Sequence, residues 1–199
     1  SSFSYGNDAV ETVSYDPDGA KKLLEESGWT DTDGDGYVDK DGQKLSINWL
    51  TYPTRLEQPK LAEYAQATLK DIGIDVQVNN TPDHRTFAEN GDFDVYVSSV
   101  TTAPTGDPEY FFTSTVTGSK NYGNYQNEEV TKLTDQLHQT FDKDERGKLA
   151  IELQQDILDD DAYFFVSHLN MGIVTKSNVK GMAAHPCDYY EITAELDVE

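Results

Sequence analysis

Lys44-Leu45-Ser46-Ile47-Asn48-Trp49-Leu50 alternates polar and apolar side chains with a period of two, the pattern of a strand with one buried face. After Pro53 the period changes. Leu61, Tyr64, Ala65, Thr68, Leu69 and Ile72 fall at i, i+3, i+4, i+7, i+8 and i+11, one helical face in a segment from about Arg55 to Ile72. Gly73 stops that helix, and Ile74-Asp75-Val76-Gln77-Val78 alternates again. Strands joined by a crossover of this length pair in parallel. A shorter helix near Asp83 to Glu89 and Gly91 lead to a third strand, Phe93-Asp94-Val95-Tyr96-Val97-Ser98. The predicted fold class is α/β, an open mixed sheet with a βαβαβ core flanked by helices.

Upstream, residues 1–12 show no periodicity and read as an extended lead-in. Asp16-Pro17-Asp18 starts a helix with proline in the first turn and acids at the positive end of its dipole. Ala20, Leu23 and Leu24 form its stripe, Gly28 ends it, and Trp29 is expected to anchor in the core. Downstream, a short helix from Pro108 carries Tyr110, Phe111 and Phe112. Two amphipathic helices follow, one with Val130, Leu133, Leu137 and Phe141, the other with Leu149, Leu153, Ile157 and Leu158. Ala162 to Ser167 and Met171 to Thr175 read as short strands that could join the sheet antiparallel, and Tyr189 to Glu199 as extended polar chain. Without repeats or an obvious linker, the economical expectation is a single domain over residues 1–199.

Composition narrows the function. The 199 residues hold 37 acidic and 15 basic side chains, a net charge of −22. Nucleic-acid binding draws on clustered Lys and Arg, so no nucleic-acid partner is expected, and anionic membrane surfaces are equally disfavoured. Such acidity serves solubility first. No stretch approaches the ~18 apolar residues of a spanning helix, and the first residues lack the pattern of a signal peptide. Cys187 is the single cysteine, which excludes an internal disulfide and a cysteine-based zinc site. His84, His138, His168 and His185 are dispersed, and no G-x-S-x-G, P-loop or G-x-G-x-x-G occurs, so no enzyme is expected. His84 is notable because it follows a strand's carboxyl end.

In open α/β sheets, ligands bind beyond the carboxyl ends of the parallel strands. The loops expected there are Thr51 to Thr54, Asn80 to Asp83 and Val100 to Asp107. Thr101-Thr102-Ala103-Pro104-Thr105-Gly106-Asp107-Pro108 is rich in hydroxyls and stiffened by two prolines, so it offers polar groups at low ordering cost. Candidate ligand-binding residues are Tyr52, Thr101, Thr102, Pro104, Thr105 and Tyr110, with Asp107 capping and orienting the loop. A plain helix-capping loop is the competing reading.

The acidic run Asp31-Thr32-Asp33-Gly34-Asp35-Gly36-Tyr37-Val38-Asp39 has the alternate carboxylates and turn glycine of a calcium loop. Asp31, Asp33, Asp35, the Tyr37 carbonyl and Asp39 are the candidate ligands, in a structural clamp. Gly42 stands where an EF-hand has a bidentate glutamate, and the exit leads into a strand. An acidic hairpin turn held by its own Asx-turns is the alternative.

Tyr15-Asp16-Pro17-Asp18-Gly19-Ala20-Lys21-Lys22-Leu23-Leu24-Glu25-Glu26-Ser27-Gly28-Trp29 resembles the Y-x-P-x-x-A-K-x-L-L-x-x-x-G-W signature of family 5 solute-binding proteins, the peptide- and nickel-binding components of ABC importers. Further landmarks follow in order: Asp31 to Gly36, Gly42-Gln43-Lys44-Leu45, Leu69-Lys70-Asp71-Ile72-Gly73-Ile74-Asp75-Val76, Gly91-Asp92-Phe93-Asp94, Asp107-Pro108 and Asn121-Tyr122. The resemblance covers nearly the whole chain. It implies the C-terminal lobe of a two-lobe receptor with a periplasmic-binding-protein-like type II fold, and inter-lobe segments at residues 1–12 and about 189–199.

On this resemblance the whole protein is exported, either a lipoprotein anchored to a Gram-positive envelope or periplasmic in a Gram-negative. It acts as a monomer, closes an N-terminal lobe over ligand, and delivers a short oligopeptide, or nickel or a nickel chelate, to ABC permease subunits. No cofactor is required. The peptide binders carry an Asp a few residues before the D-P pair, where this chain has Pro104. Ala103 to Pro108 is similar to the A-P-x-D-P loop of nickel-binding members, with one residue inserted. Those members place a His shortly after, and this chain has Gly118-Ser119-Lys120. A chelated metal would need no such His. From a different class, the alternative is a calcium-stabilised extracellular interaction domain with no transport role.

Overall fold

The computed structural model describes residues 5–169, 172–184 and 192–199. They form two compact units, Val13–Ser99 and a second made of the chain up to Thr12 with Val100–Glu199, where the sequence led to one.

In the Val13–Ser99 unit, Asp16 caps α1 (Pro17–Glu26) by accepting from the Gly19 amide at 2.9 Å. An antiparallel hairpin, β1 (Asp39–Lys40) and β2 (Gln43–Lys44), precedes β3 (Ser46–Thr51). Helix α2 (Glu57–Lys70) crosses to β4 (Asp75–Asn80), and α3 (His84–Asn90) leads to β5 (Val95–Tyr96). The sheet order is β4-β3-β5, parallel throughout, with Ser46 opposite Asp75, Thr51 opposite Asn80 and Leu50 opposite Tyr96. This is the expected βαβαβ core. Its interior is Leu50, Ala62, Ile74, Val76, Ala88 and Val97, with the Leu, Ile and Val side chains each contributing ~1.5–3 kcal/mol on full burial and the alanines less.

Several local expectations change. Tyr64 is 72% exposed: at about 100° per residue the buried stripe of α2 centres between Ala62 and Ala65, and Tyr64 stands off its edge. Leu23 on α1 is exposed too. The third strand is only two residues long, because the Asp94 carboxylate takes the Asn48 amide (2.7 Å) before the ladder begins. Gly73 does more than stop a helix. Its φ of +82° and the 2.9 Å that would separate an added Cβ from Val38 Cγ1 both require glycine, and its carbonyl accepts from the Val38 amide.

The other unit is built on helices. α4 (Glu109–Phe111) passes into a π-helical turn over Phe112–Val116, followed by α5 (Glu128–Gln139) and α6 (Lys143–Asp159). Asn127 and Asp142 cap α5 and α6. The core is Phe111, Phe112, Val116, Val130, Leu133, Leu137, Leu149, Ala150, Leu153 and Ile157. Phe141 lies beyond the end of α5 and is 93% exposed, so it leaves the expected stripe. The lead-in is not free chain: Tyr5 donates to the Gly106 carbonyl (2.6 Å), and Glu11 exchanges two hydrogen bonds with the Gln155 side chain.

Ala162 to Ser167 forms no ladder among the described residues. Its alternation serves packing instead, since Tyr163 and Phe165 both turn onto Phe111 (ring centroids 5.9 and 5.8 Å) while Phe164 is exposed. Residues 172–175 are likewise not a strand, and Met171 lies outside the described residues. The antiparallel pairs are instead short ribbons, β1–β2 and β6 (Val179–Lys180) with β7 (Asp197–Val198). Cys187 and His185 also fall outside the described residues.

A net charge of −22 on 199 residues sets carboxylates against one another across both units. Raising NaCl from ~0.05 M to ~1 M shortens the screening length to about 3 Å. The melting temperature should therefore rise with salt at pH 7; a flat or falling profile in calorimetry would show that repulsion does not limit stability.

Candidate functional site

Parallel pairing in register brings the carboxyl ends of β3, β4 and β5 to one rim of the sheet. Tyr52, the residue after β3, is 7% exposed, and its ring stacks on His84 at 4.1 Å. His84 opens α3, and its Nδ1 is 2.6 Å from the Tyr96 hydroxyl at the end of β5. Burial, with the Arg85 charge beside it, holds the His84 pKa below the usual histidine range, so the ring is neutral at pH 7. The Ser99 amide donates to the Tyr52 hydroxyl (3.2 Å), and Gln58 Nε2 donates to Ser99 Oγ (2.7 Å). Thr51 Oγ1 and Gln58 Oε1 are buried with no hydrogen-bond partner among the described residues. Tyr52 is thus a floor residue of the rim rather than an open side chain.

The remaining candidate residues belong to the helical unit. Thr101, Thr102 and Thr105 are exposed, Pro104 is half-buried, and Tyr110 is 38% exposed. Asp107 ends the loop as expected of a cap: its Oδ1 accepts from the Glu109 amide at 2.9 Å. The structure brings this run together on one loop and its following turn; Tyr52 is in the other unit.

Sequence reading missed what holds the loop. Arg146, on α6, uses all five of its N–H groups. Nε donates to Asp107 Oδ2 (2.8 Å), Nη2 to Asp107 Oδ1 (2.6 Å) and Glu109 Oε2 (2.8 Å), and Nη1 to the carbonyls of Leu137 (2.5 Å) and Thr140 (2.6 Å). The planar guanidinium fork suits this; a lysine could not span it. Glu109 Oε1 also meets His138 Nδ1 at 2.6 Å. Burial pushes the Asp107 and Glu109 pKa values up, but the hydrogen bonds and charge of Arg146, joined by the Glu109 amide at Asp107 and by His138 at Glu109, together outweigh it and hold both below the usual carboxylate range. The signal was present in the sequence. Arg146 precedes Leu149, Ala150, Leu153 and Ile157 by 3, 4, 7 and 11 residues, a charge placed on the apolar face of its helix.

In the acidic loop, Asp31 accepts from the Gly34 and Gly36 amides, Asp33 from Asp35, Asp35 from Tyr37, and Asp39 from the Thr32 amide and hydroxyl. The loop therefore holds its shape through its own Asx-turns. Asp31, Asp33 and Asp39 still offer oxygens within 4.8 Å of one another. Asp35 instead pairs with Lys44, whose ammonium also lies 4.3 Å from the Tyr37 ring centroid.

Replacing Arg146 with methionine removes the shared cation and leaves two carboxylates facing each other. With Asp107 partly solvated, the expected loss is about 2 kcal/mol at pH 7. Because both carboxyl pKa values are lowered in the fold, their contribution is present above the unfolded values near ~4 and lost as pH falls below them. The gap in melting temperature between wild type and Arg146→Met should shrink between about pH 5 and pH 3; a gap constant with pH would show that the ion cluster does not stabilise the fold.

Residues 1–123 match the family model described as bacterial extracellular solute-binding proteins, family 5 Middle. The chain is 32% identical to the oligopeptide-binding protein AppA of Bacillus subtilis over 96% of its own length and 36% of that protein. It is 27% identical to the nickel-binding periplasmic protein of Escherichia coli over 93% of its length and 36% of the relative. The structure of AppA in complex with a nonapeptide aligns with a TM-score of 0.76 at 29% identity, covering 92% of this chain and 38% of that one. NikA of Staphylococcus aureus with Ni(L-His)2 aligns at 0.62 and 27%, covering 73% and 30%. The chain thus spans about a third of the relatives it matches. On a family match across more than half its length, together with its parallel βαβαβ core, the chain belongs to the family 5 extracellular solute-binding proteins.

Proposed function

We propose that this chain is the C-terminal lobe of a receptor that captures short oligopeptides outside the cytoplasm and hands them to an ABC permease. Its counterpart is an N-terminal lobe of the same protein, and hinge closure between the lobes encloses the ligand. The carrying observation is the loop after β5: Thr101, Thr102 and Thr105 expose their hydroxyls while Asp107, at its end, is bolted to α6. A loop fixed before ligand arrives loses little entropy on binding. Thr101, Thr102, Pro104, Thr105 and Tyr110 face the ligand on this reading and Asp107 orients their loop, while Tyr52, buried in the sheet unit, supports its own rim from below. The reading carries no catalytic step, in keeping with a family of binding proteins.

Nickel or a nickel chelate is the second reading, favoured by the nickel-binding relatives in Escherichia coli and Staphylococcus aureus. Family membership favours either over a calcium-stabilised interaction domain with no transport role. The protein works as a monomer, as an envelope-anchored lipoprotein or a periplasmic receptor, and no helix of the described residues is long and apolar enough to cross a membrane.

Two experiments follow. In the whole receptor, Thr102→Trp should weaken binding of a nonapeptide pool or of nickel–histidine by at least about tenfold, by filling the cleft. Unchanged titrations with both would put the site elsewhere. For the acidic loop, the reading adds a structural calcium ion on Asp31, Asp33, Asp39 and the Tyr37 carbonyl, with Asp35 released from Lys44. Calcium should then raise the melting temperature of the wild type but not of Asp33→Ala. Identical curves in calcium and in chelator would leave the loop a self-held hairpin.

A further inference from the structure

We infer that Lys120, held against Tyr110, is the specificity-determining group that receives a carboxylate of the ligand. This rests on the reading of residues 101–110 as ligand-facing. Ten residues separate the two side chains, and the intervening backbone is shaped to bring them together. The π-helical turn Phe112–Val116 is a rare conformation that recurs at functional sites. The chain then reverses at Gly118, where an added Cβ would lie 2.0 Å from the Thr113 carbonyl oxygen and 3.0 Å from that of Ser114. Only glycine fits. The Lys120 amide next donates to the Ser114 carbonyl (2.9 Å), which fixes where its side chain starts.

From there Lys120 Nζ donates to the Tyr110 hydroxyl at 3.2 Å and lies 5.5 Å from the ring centroid. Lys132, Lys148, Arg146 and Lys180 in the same unit each face a carboxylate. Lys120, like Lys143 and Lys176, faces none among the described residues, but of these three it is the one held by a side-chain hydrogen bond there. Its partner is a neutral phenol, so the positive charge is left unspent. Two ammonium N–H groups and the phenol O–H, which accepts from Lys120 and has no acceptor of its own among the described residues, remain as adjacent donors. Side-by-side N–H and O–H donors on a cation suit the two oxygens of one carboxylate. Such a group is found at the end of a peptide and equally on an amino-acid chelator of a metal.

The test uses the whole receptor and two probes, a nonapeptide pool lacking Asp and Glu, with either free or amidated C-termini, and nickel–histidine. The wild type should bind the free-acid pool about tenfold more tightly than the amidated pool, and Lys120→Gln should erase that preference while Lys120→Arg keeps it. A tenfold loss of nickel–histidine binding in Lys120→Gln, with no acid preference in the peptide arm, would equally support the inference and assign the carboxylate to a chelate. Lys120→Gln behaving as wild type in both arms overturns it. Thr102→Trp separates the two levels. If it abolishes binding while Lys120→Gln changes nothing, the carboxylate role alone fails. If the wild type binds neither probe, or Thr102→Trp changes nothing, the ligand-facing reading fails with it.

Discussion

Parallel pairing of β3 with β4 and β5 is the constraint from which the sheet's chemistry follows. Two parallel strands cannot be joined by a tight turn, so each connection must climb back through a helix, and every strand then finishes on the same side. The chain supplies α2 and α3 for that purpose, with Gly73 making the one close approach that lets β4 begin beside the preceding hairpin. The result is a rim where Tyr52, His84 and Tyr96, distant in sequence, share one stack and one hydrogen bond. A one-residue slip in β3 would send Leu50 to the wrong face and take Tyr52 out of the stack.

Electrostatics organise the helical unit in a comparable way. In a chain with more than twice as many acids as bases, each cation is scarce, and Arg146 is spent on two carboxylates and two helix-end carbonyls at once. Its five hydrogen bonds join the end of the loop after β5, the start of α4 and the end of α5 to the start of α6. Stiffness there leaves the hydroxyls of Thr101, Thr102 and Thr105 free at the loop's other end. Rigidity and exposure are thus divided along eight residues.

The elements that the sequence made legible are those with long periodic patterns. β3, α2 and β4 could be read because apolar positions recur over many residues and Gly73 marks the boundary. The Asp107 cap could be read because Asp-Pro before a helix has a local physical cause. Less legible were features set by tertiary contact. Tyr64 and Leu23 continue an apolar pattern yet stay exposed, since periodicity gives a stripe but not its width. Tyr163 and Phe165 alternate like a strand but pack on Phe111, because alternation shows only that one face is buried and not what pairs with the backbone. Arg146 sits on the apolar face of α6, but its partners Asp107 and Glu109 lie far upstream in sequence, so no local pattern joins them. The division into two units at Ser99 falls at the start of the Thr- and Pro-rich run 100–108, which by composition alone reads equally as an ordinary loop within one domain.

The central claim is that the loop and turn from Thr101 to Lys120 form a ligand-binding surface set before ligand arrives. Amide hydrogen exchange of the whole receptor, with and without a saturating nonapeptide pool and separately with nickel–histidine, measures this segment by segment. Slow exchange around Asp107 and Glu109 in the free protein, with new protection on ligand addition at 101–106 and 118–120, is the expected result. Unchanged exchange across 101–120 with a probe that demonstrably binds would contradict the account.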